Sequence, residues 1–334
     1  MIDLSKNTNP YFPTKKMKYH LRKSVNNVCI YPDKTADEYE KIISNYFDIS
    51  YKNVFLSLGT LGVFDMILKY GNFKKIGFLN PTFWGMKELA KTNNCKIIEE
   101  NMIDLFQYDY SQIENLAKRC ELIYICNPNN PTLSDINVDD FLDIVKKCSK
   151  CHFVVDETVL AFDPKFYEKT LFRYVSKFDN LTVILSCSKI FNIPGLRLGL
   201  IFSNEMLLYK IKKNNLIFSS NIMTNSILDD LGKSFFEIDR NKFCNNFELF
   251  INKLNKDCVE KIVKNNGSFV LVKFKDCVLT DDLELFLLNN NVKVANVSKF
   301  YPDLGSNWFR VSVGRKRDMI VLANLINNFV MKKV

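Results

Sequence analysis

The sequence predicts an α/β protein, with a mostly parallel seven-stranded sheet between helices and a smaller α+β unit after it. Three observations lead to that class. Short apolar runs alternate with helical patterns up to about residue 202, residues with reactive side chains fall just beyond the ends of those runs, and the texture changes after about residue 225. Strand–helix alternation argues for a parallel sheet covered by helices. Open sheets of this kind bind ligands beyond the carboxyl ends of their strands.

Seven runs read as short buried strands: 54–58, 76–79, 96–99, 122–126, 153–156, 182–186 and 198–202. Each is mainly apolar and too short for a helix. Between two of them, residues 137–150 read as a helix, because Val138, Phe141, Leu142 and Val145 recur at i, i+3, i+4 and i+7 on one face. Asn137 is its expected N-cap, with Asp140 three residues on. Beyond residue 225, helical patterns over 226–263 lead to an alternating strand at 268–275, a helix at 281–290, and strands at 292–297 and 309–313.

A chain of 334 residues is long enough for two domains. Its 47% hydrophobic and 25% charged content is ordinary for a soluble globular protein. The net charge of +9 reads mainly as lysines on solvated helix faces, with a share for an anionic ligand. No basic segment interleaved with aromatics supports a nucleic-acid partner. No apolar run approaches a membrane span, and residues 1–6 lack a signal peptide's apolar core. The ten cysteines show no framework and are expected to be reduced thiols in a cytoplasm. Cys148, Cys151 and His152 match the spacing of a haem-attachment motif, but lie between a helix and a buried strand, so no metal or haem is assigned.

Residues 186–199 concentrate the chemistry. Lys189 can form an imine with an aldehyde. Ser186 and Ser188 precede it, and Arg197 follows eight residues later in a Pro-Gly-Leu-Arg turn; all three can hold a phosphate. One ligand carrying both an aldehyde and a phosphate would meet all four groups, and pyridoxal 5'-phosphate (PLP) is such a ligand. Further motifs follow in order: Asn7-Thr8-Asn9-Pro10, Tyr31-Pro32-Asp33, Gly59-Thr60, Pro81-Thr82-Phe83, Asn127-Pro128-Asn129-Asn130-Pro131-Thr132, Asp156-Glu157 and Phe309-Arg310-Val311.

This ordered set, spread over nearly the whole chain, resembles the fold-type-I PLP-dependent aminotransferases of class I/II. It is most similar to their histidinol-phosphate aminotransferase and threonine-phosphate decarboxylase branch. The resemblance implies an N-terminal arm (residues 1–24) joining a small C-terminal domain (226–334), with a large PLP-binding domain (25–225) between. It also implies roles. Lys189 carries the cofactor and moves a proton at the substrate's α-carbon, and Asp156 faces the pyridine nitrogen. Asn130 bonds the ring's phenolic oxygen and Phe83 stacks on the ring. Gly59, Thr60, Leu61, Ser186, Ser188 and Arg197 cup the phosphate. Tyr31 reaches the phosphate of a partner subunit, which makes the enzyme a homodimer. Arg310 takes the substrate carboxylate, with Asn9 and Asn130 as further substrate contacts.

Each residue also has an ordinary use. A lysine can be a surface charge, a strand-ending Asp a helix cap, an Asn before Pro a turn residue, and an aromatic plain core. Their order along the chain favours the functional roles. Three positions depart from the family pattern. Val159 stands where aminotransferases have a tyrosine, and Leu133 where Asn-Pro-Thr is followed by Gly. Asn296 stands where phosphate-binding relatives have a second arginine, which leaves Lys299 or Arg315 as candidate substitutes or, alternatively, a substrate without a phosphate. The expected activity is transamination of an amino acid or a phosphorylated amino compound. The alternatives are decarboxylation of an O-phospho amino acid and, less favoured, a non-catalytic binding protein on the same fold.

Overall fold

The computed structural model describes residues 1–31, 37–57, 59–214, 222–276 and 278–331. Its strands are β1 (Ile2–Asp3), β2 (Val54–Ser57), β3 (Lys75–Asn80), β4 (Lys96–Asn101), β5 (Leu122–Cys126), β6 (His152–Asp156), β7 (Leu181–Leu185), β8 (Gly199–Phe202), β9 (Val259–Lys264), β10 (Phe269–Phe274), β11 (Val292–Lys293), β12 (Ala295–Asn296) and β13 (Trp308–Ser312). Seven of them form one sheet in the order β2-β8-β7-β6-β5-β3-β4, in which only β8 runs antiparallel to its neighbours. The predicted fold class is the observed one. Leu58, placed in the first predicted strand, lies outside the described residues.

The sheet is buried on both faces, which is why its central strands read as unbroken apolar runs. Side chains still alternate. Leu122, Tyr124 and Val154 face the helices Gly59–Gly71 and Trp84–Thr92, in one core with Phe64, Ile67 and Met86. Ile123, Ile125 and Phe153 face the opposite layer, with Phe141 and Val145 of the helix Val138–Lys147. That helix is capped as its sequence suggests: Asn137 Oδ1 accepts from the N–H groups of Asp139 and Asp140. Its acidic first turn and basic last turn suit the helix dipole.

The second sheet, in the order β12-β13-β10-β9, is antiparallel. Two expectations change here. Residues 259–263, grouped with the helical stretch, belong to the edge strand β9, whose charged residues Glu260, Lys261 and Lys264 interrupt the apolar run a buried strand would show. The single strand expected at 292–297 divides between two sheets, β11 pairing with β1 and β12 with β13. Through the β1–β11 pair, and through Ser312 N–H donating to Leu4 O at 2.9 Å, the N-terminal segment is fixed beside β13. That placement brings Ser5, Lys6 and Asn7 to the cavity described next.

Candidate active site

A cavity of about 600 Å³ opens beyond the carboxyl ends of the parallel strands. Asp156, the last residue of β6, lines it. Its Oδ2 accepts the Tyr124 hydroxyl at 3.0 Å and its Oδ1 accepts the Thr158 N–H at 3.0 Å. Burial pushes the Asp156 pKa up, against those hydrogen bonds. Sequence reasoning missed Tyr124. The available signal was a tyrosine inside an otherwise aliphatic buried strand, where its hydroxyl needs a partner.

Lys189 lies on the short helix Cys187–Ile190 immediately after β7. Its Nζ donates to Lys6 O at 2.9 Å. Burial, then the positive charges of Arg310, Arg197 and Lys6, hold its pKa below the ordinary lysine range. A larger neutral fraction is what attack on a carbonyl requires. Asn9 acts through this helix. Its N–H donates to Lys189 O and its Nδ2 to Ile190 O, both at 3.0 Å, and its side chain is fully buried away from the cavity. Asn9 therefore braces the lysine; Asn7 lines the cavity and Asn9 does not.

The expected phosphate cup is partly assembled. Gly59 has φ 81°, and a Cβ there would lie 2.8 Å from an Arg197 guanidinium nitrogen. Only glycine allows the guanidinium to lie against the start of the helix Gly59–Gly71, where N–H groups and the dipole favour an anion. Thr60 and Ser186 line the cavity. Leu61 stands in the first turn of that helix; its side chain packs against the core, so only its backbone N–H can serve the cup. One member of the cup is turned elsewhere. The Ser188 hydroxyl donates to Leu198 O at 3.2 Å and accepts the Leu198 N–H at 3.1 Å, which closes a turn and leaves nothing for a phosphate.

The asparagines of the 127–132 motif divide their work. Asn127 Oδ1 accepts Ile136 N–H at 3.1 Å. Asn129 Nδ2 donates to Pro81 O at 2.7 Å and its Oδ1 accepts the Thr82 hydroxyl at 2.8 Å, so it ties two strand-end loops together. Asn130 lines the cavity, and its Oδ1 accepts Arg310 Nη1 at 2.8 Å. Arg310 also donates Nη2 to Ser5 O at 2.8 Å, and its guanidinium lies 5.4 Å from the Phe269 ring centre. Its buried Nε has no hydrogen-bond partner. Phe83 lines the cavity from the residue preceding the helix Trp84–Thr92. Tyr31 is 80% exposed and lies away from its own chain's cavity, while Pro32 and Asp33 are outside the described residues.

Val159, Leu133 and Tyr301 pack in one cluster. Leu133 has φ 65°, the left-handed region in which glycine is at ease, and burial of its side chain offsets a cost of about 1 kcal/mol. Tyr301, absent from the sequence-based site, is buried and lines the cavity; burial raises its pKa to about 12, against the opposing charge of Arg310. Neither candidate substitute for the second arginine lines this cavity. Lys299 is paired with Asp281 and Glu284, and Arg315 Nε donates to Pro10 O at 3.0 Å. At the other end of β6, His152 Nε2 is hydrogen bonded to the Thr182 hydroxyl at 2.7 Å, and burial holds its pKa at about 4.

A doubly covered α/β sheet with an amine, a buried carboxylate and an anion cradle at its strand ends defines a fold-type-I, PLP-dependent class of protein. More particularly, the chain belongs to the class I and II aminotransferase family, whose sequence model matches residues 1–326. It is 28% identical to the histidinol-phosphate aminotransferase of Caldanaerobacter subterraneus subsp. tengcongensis, over 89% of this chain and 84% of that one. In structure it is similar to the histidinol-phosphate aminotransferase of Clostridium acetobutylicum (TM-score 0.89, 20% identity, 99% and 100% of the two chains). It is also similar to the L-threonine-O-3-phosphate decarboxylase of Porphyromonas gingivalis (TM-score 0.84, 18% identity, 99% and 100%). Likeness at these identities speaks for the fold alone. Family members bind PLP.

Proposed function

We propose that this chain is a cytoplasmic PLP-dependent aminotransferase acting on an amino acid or a phosphorylated amino compound. We propose further that it works as a homodimer with Tyr31 reaching the partner's site, built from an arm (1–24), a large domain (25–225) and a small domain (226–334). The observation that carries the reading is the convergence of the Lys189 amine, the buried Asp156 carboxylate and the Arg310 guanidinium on one cavity.

The residues present fit the cofactor. When bound, PLP supplies an aldehyde for the Lys189 amine and a ring that takes up the electron pair of a bond broken at the substrate's α-carbon. Asp156, fixed by Tyr124 and Thr158, is placed to receive a protonated ring nitrogen. Gly59, Thr60, Ser186 and Arg197 form the anion cradle. Arg310 can grip a carboxylate with its two-pronged fork. Because Asn130 and Ser5 fix that guanidinium, a bound carboxylate is pinned to the wall Asn130 forms. The α-proton is then the group left for the Lys189 amine, whose lowered pKa suits it to act as a base. This favours transamination. Val159, with no hydroxyl where aminotransferases carry a tyrosine, favours decarboxylation as the second reading.

PLP-loaded protein incubated with amino acids and their O-phosphates separates the two. We expect a visible absorbance band that Lys189→Ala lacks, keto product without stoichiometric carbon dioxide, and turnover about a thousandfold lower in the variant. Carbon dioxide without keto product would make the chain a decarboxylase. A wild-type protein with no band would remove the cofactor reading altogether.

A further inference from the structure

One wall of the cavity comes from residues 284–301, and it carries the Glu284 carboxylate and the Asn296 amide together with the Lys293 ammonium. Asp281 and Glu284 share one cation: Lys299 Nζ lies 3.0 Å from Asp281 Oδ1 and 2.7 Å from Glu284 Oε2. Of these three side chains only Glu284 lines the cavity, so its carboxylate is the charge a ligand meets at this corner. Asn296 Nδ2 donates to that same Asp281 Oδ1 at 3.0 Å. An ionised carboxylate only accepts, so this contact fixes which way the amide points and leaves Asn296 Oδ1 as the spare acceptor. That oxygen has no hydrogen-bond partner, although Asn296 is only 1% exposed. Both Asn296 and Glu284 line the cavity that holds Lys189 and Arg310.

Two lysines line it as well. Lys6 is paired with Asp3 at 2.8 Å, and Lys293 stands exposed on the two-residue strand β11. Neither is a fixed, buried cation, and a lysine on a flexible stem can hold its head in water.

We infer that the amino substrate of this site carries no phosphate, and that its side chain ends in a hydrogen-bond donor (an amide, hydroxyl, amine or ring N–H) received by the Asn296 amide oxygen and the Glu284 carboxylate. The inference rests on the aminotransferase reading above and names the substrate class for it. A phosphate dianion brings only acceptors and negative charge. Beside Glu284 it meets like charge, and beside Asn296 Oδ1 it leaves an acceptor facing an acceptor, which costs more than a missing bond to water.

Matched pairs test it: L-serine and O-phospho-L-serine, L-threonine and O-phospho-L-threonine, L-histidinol and L-histidinol phosphate. Binding is read on PLP-loaded Lys189→Ala protein by quenching of Trp84, which lines the cavity, and reaction on the wild type by loss of the visible band. We expect the unphosphorylated member of each pair to bind at least about tenfold more tightly. Equal or tighter binding of the phosphorylated members overturns the inference, whatever the wild type catalyses. If the unphosphorylated members win but the wild type aminates or deaminates none of them, the inference about the wall stands and the aminotransferase reading fails. Glu284→Gln, at a partly exposed position, is expected to narrow the gap by roughly threefold, and an unchanged gap would remove Glu284 from the wall's selectivity. Asn296→Arg should reverse the preference; as a buried position it is paired with Glu284→Gln so that loss of folding does not decide the matter.

Discussion

Asp156 and Asn296 line the same cavity from walls of opposite construction. Asp156 ends a strand in the middle of a seven-stranded sheet, and both its oxygens have protein donors. Asn296 ends a two-residue strand, runs straight into a 3₁₀ turn, and keeps an orphan oxygen. Around Asp156 the neighbours are buried on both sheet faces. Around Asn296 they include Phe300, 66% exposed. The first wall is held by the whole core, so it can place a few groups rigidly for bond chemistry. The second is held by short local pairings, so its residues can change without disturbing the sheet, and choice among substrates is expected to reside there.

Arg310 belongs to both walls: it is carried by β13 of the second sheet, yet its Nη1 is bonded to Asn130 of the strand-end wall. Arg310→Gln is the sharpest way to break the comparison. It is expected to raise KM for the amino substrate about a hundredfold, with a smaller change in kcat, because the charge-assisted carboxylate fork is lost. Steady-state kinetics over a wide substrate range would show it. An unchanged KM would mean that the carboxylate is held elsewhere and that the two walls are not joined through substrate.

The same contrast explains what could be read from the sequence. The strand-end wall was legible because its residues follow apolar runs that a short buried strand produces, so the sequence alone locates Asp156, Asn130, Ser186 and Lys189 at strand ends. Ser188 and Asn9 carry the same motif chemistry but are turned into backbone contacts by the local turn, and spacing alone does not reveal a side chain's direction. Tyr301, Glu284 and Lys293 were invisible as cavity residues, since their positions depend on β11 and β12 separating into two sheets. Leu133 illustrates the limit differently. A leucine in a left-handed conformation contradicts local preference, and it is explained only by its burial with Val159 and Tyr301.

Behind the strand-end wall lies a second carboxylate, Glu157, that sharpens the picture of a rigid but costly structure. It is fully buried; its Oε1 accepts Leu171 N–H at 2.7 Å and its other oxygen accepts the Thr170 hydroxyl. Burial pushes its pKa from 4.5 up to about 8. In that window the folded state holds a proton that the unfolded state has lost, so stability falls as pH rises from about 4.5 to about 8. Glu157→Gln removes the ionisation and keeps one acceptor oxygen for the Leu171 N–H, while its NH2 can only donate to the Thr170 hydroxyl oxygen in place of the second acceptor contact. Its Tm is expected to decline less across the window, by roughly 2–4 °C at the alkaline end. Thermal melts of wild type and variant at matched ionic strength would measure the difference, and parallel pH profiles would show that Glu157 stays ionised at its usual range.

The smallest effect tests the finest distinction, between two serines two residues apart. Ser186 lines the cavity, whereas Ser188 has both hydrogen-bonding roles of its hydroxyl taken by Leu198. Removing a buried hydroxyl that both donates and accepts leaves a backbone N–H short of its partner, so Ser188→Ala is expected to cost about 1–2 kcal/mol of folding stability. PLP affinity in the same variant should stay within about twofold of wild type, while Ser186→Ala should weaken it about tenfold, since only the second substitution removes a donor from the anion cradle. Denaturant midpoints and fluorescence titrations with PLP separate the two effects. If Ser188→Ala weakens PLP as much as Ser186→Ala and leaves stability untouched, the hydroxyl turns toward the phosphate when the cofactor is present, and the turn at Leu198 is not what holds it.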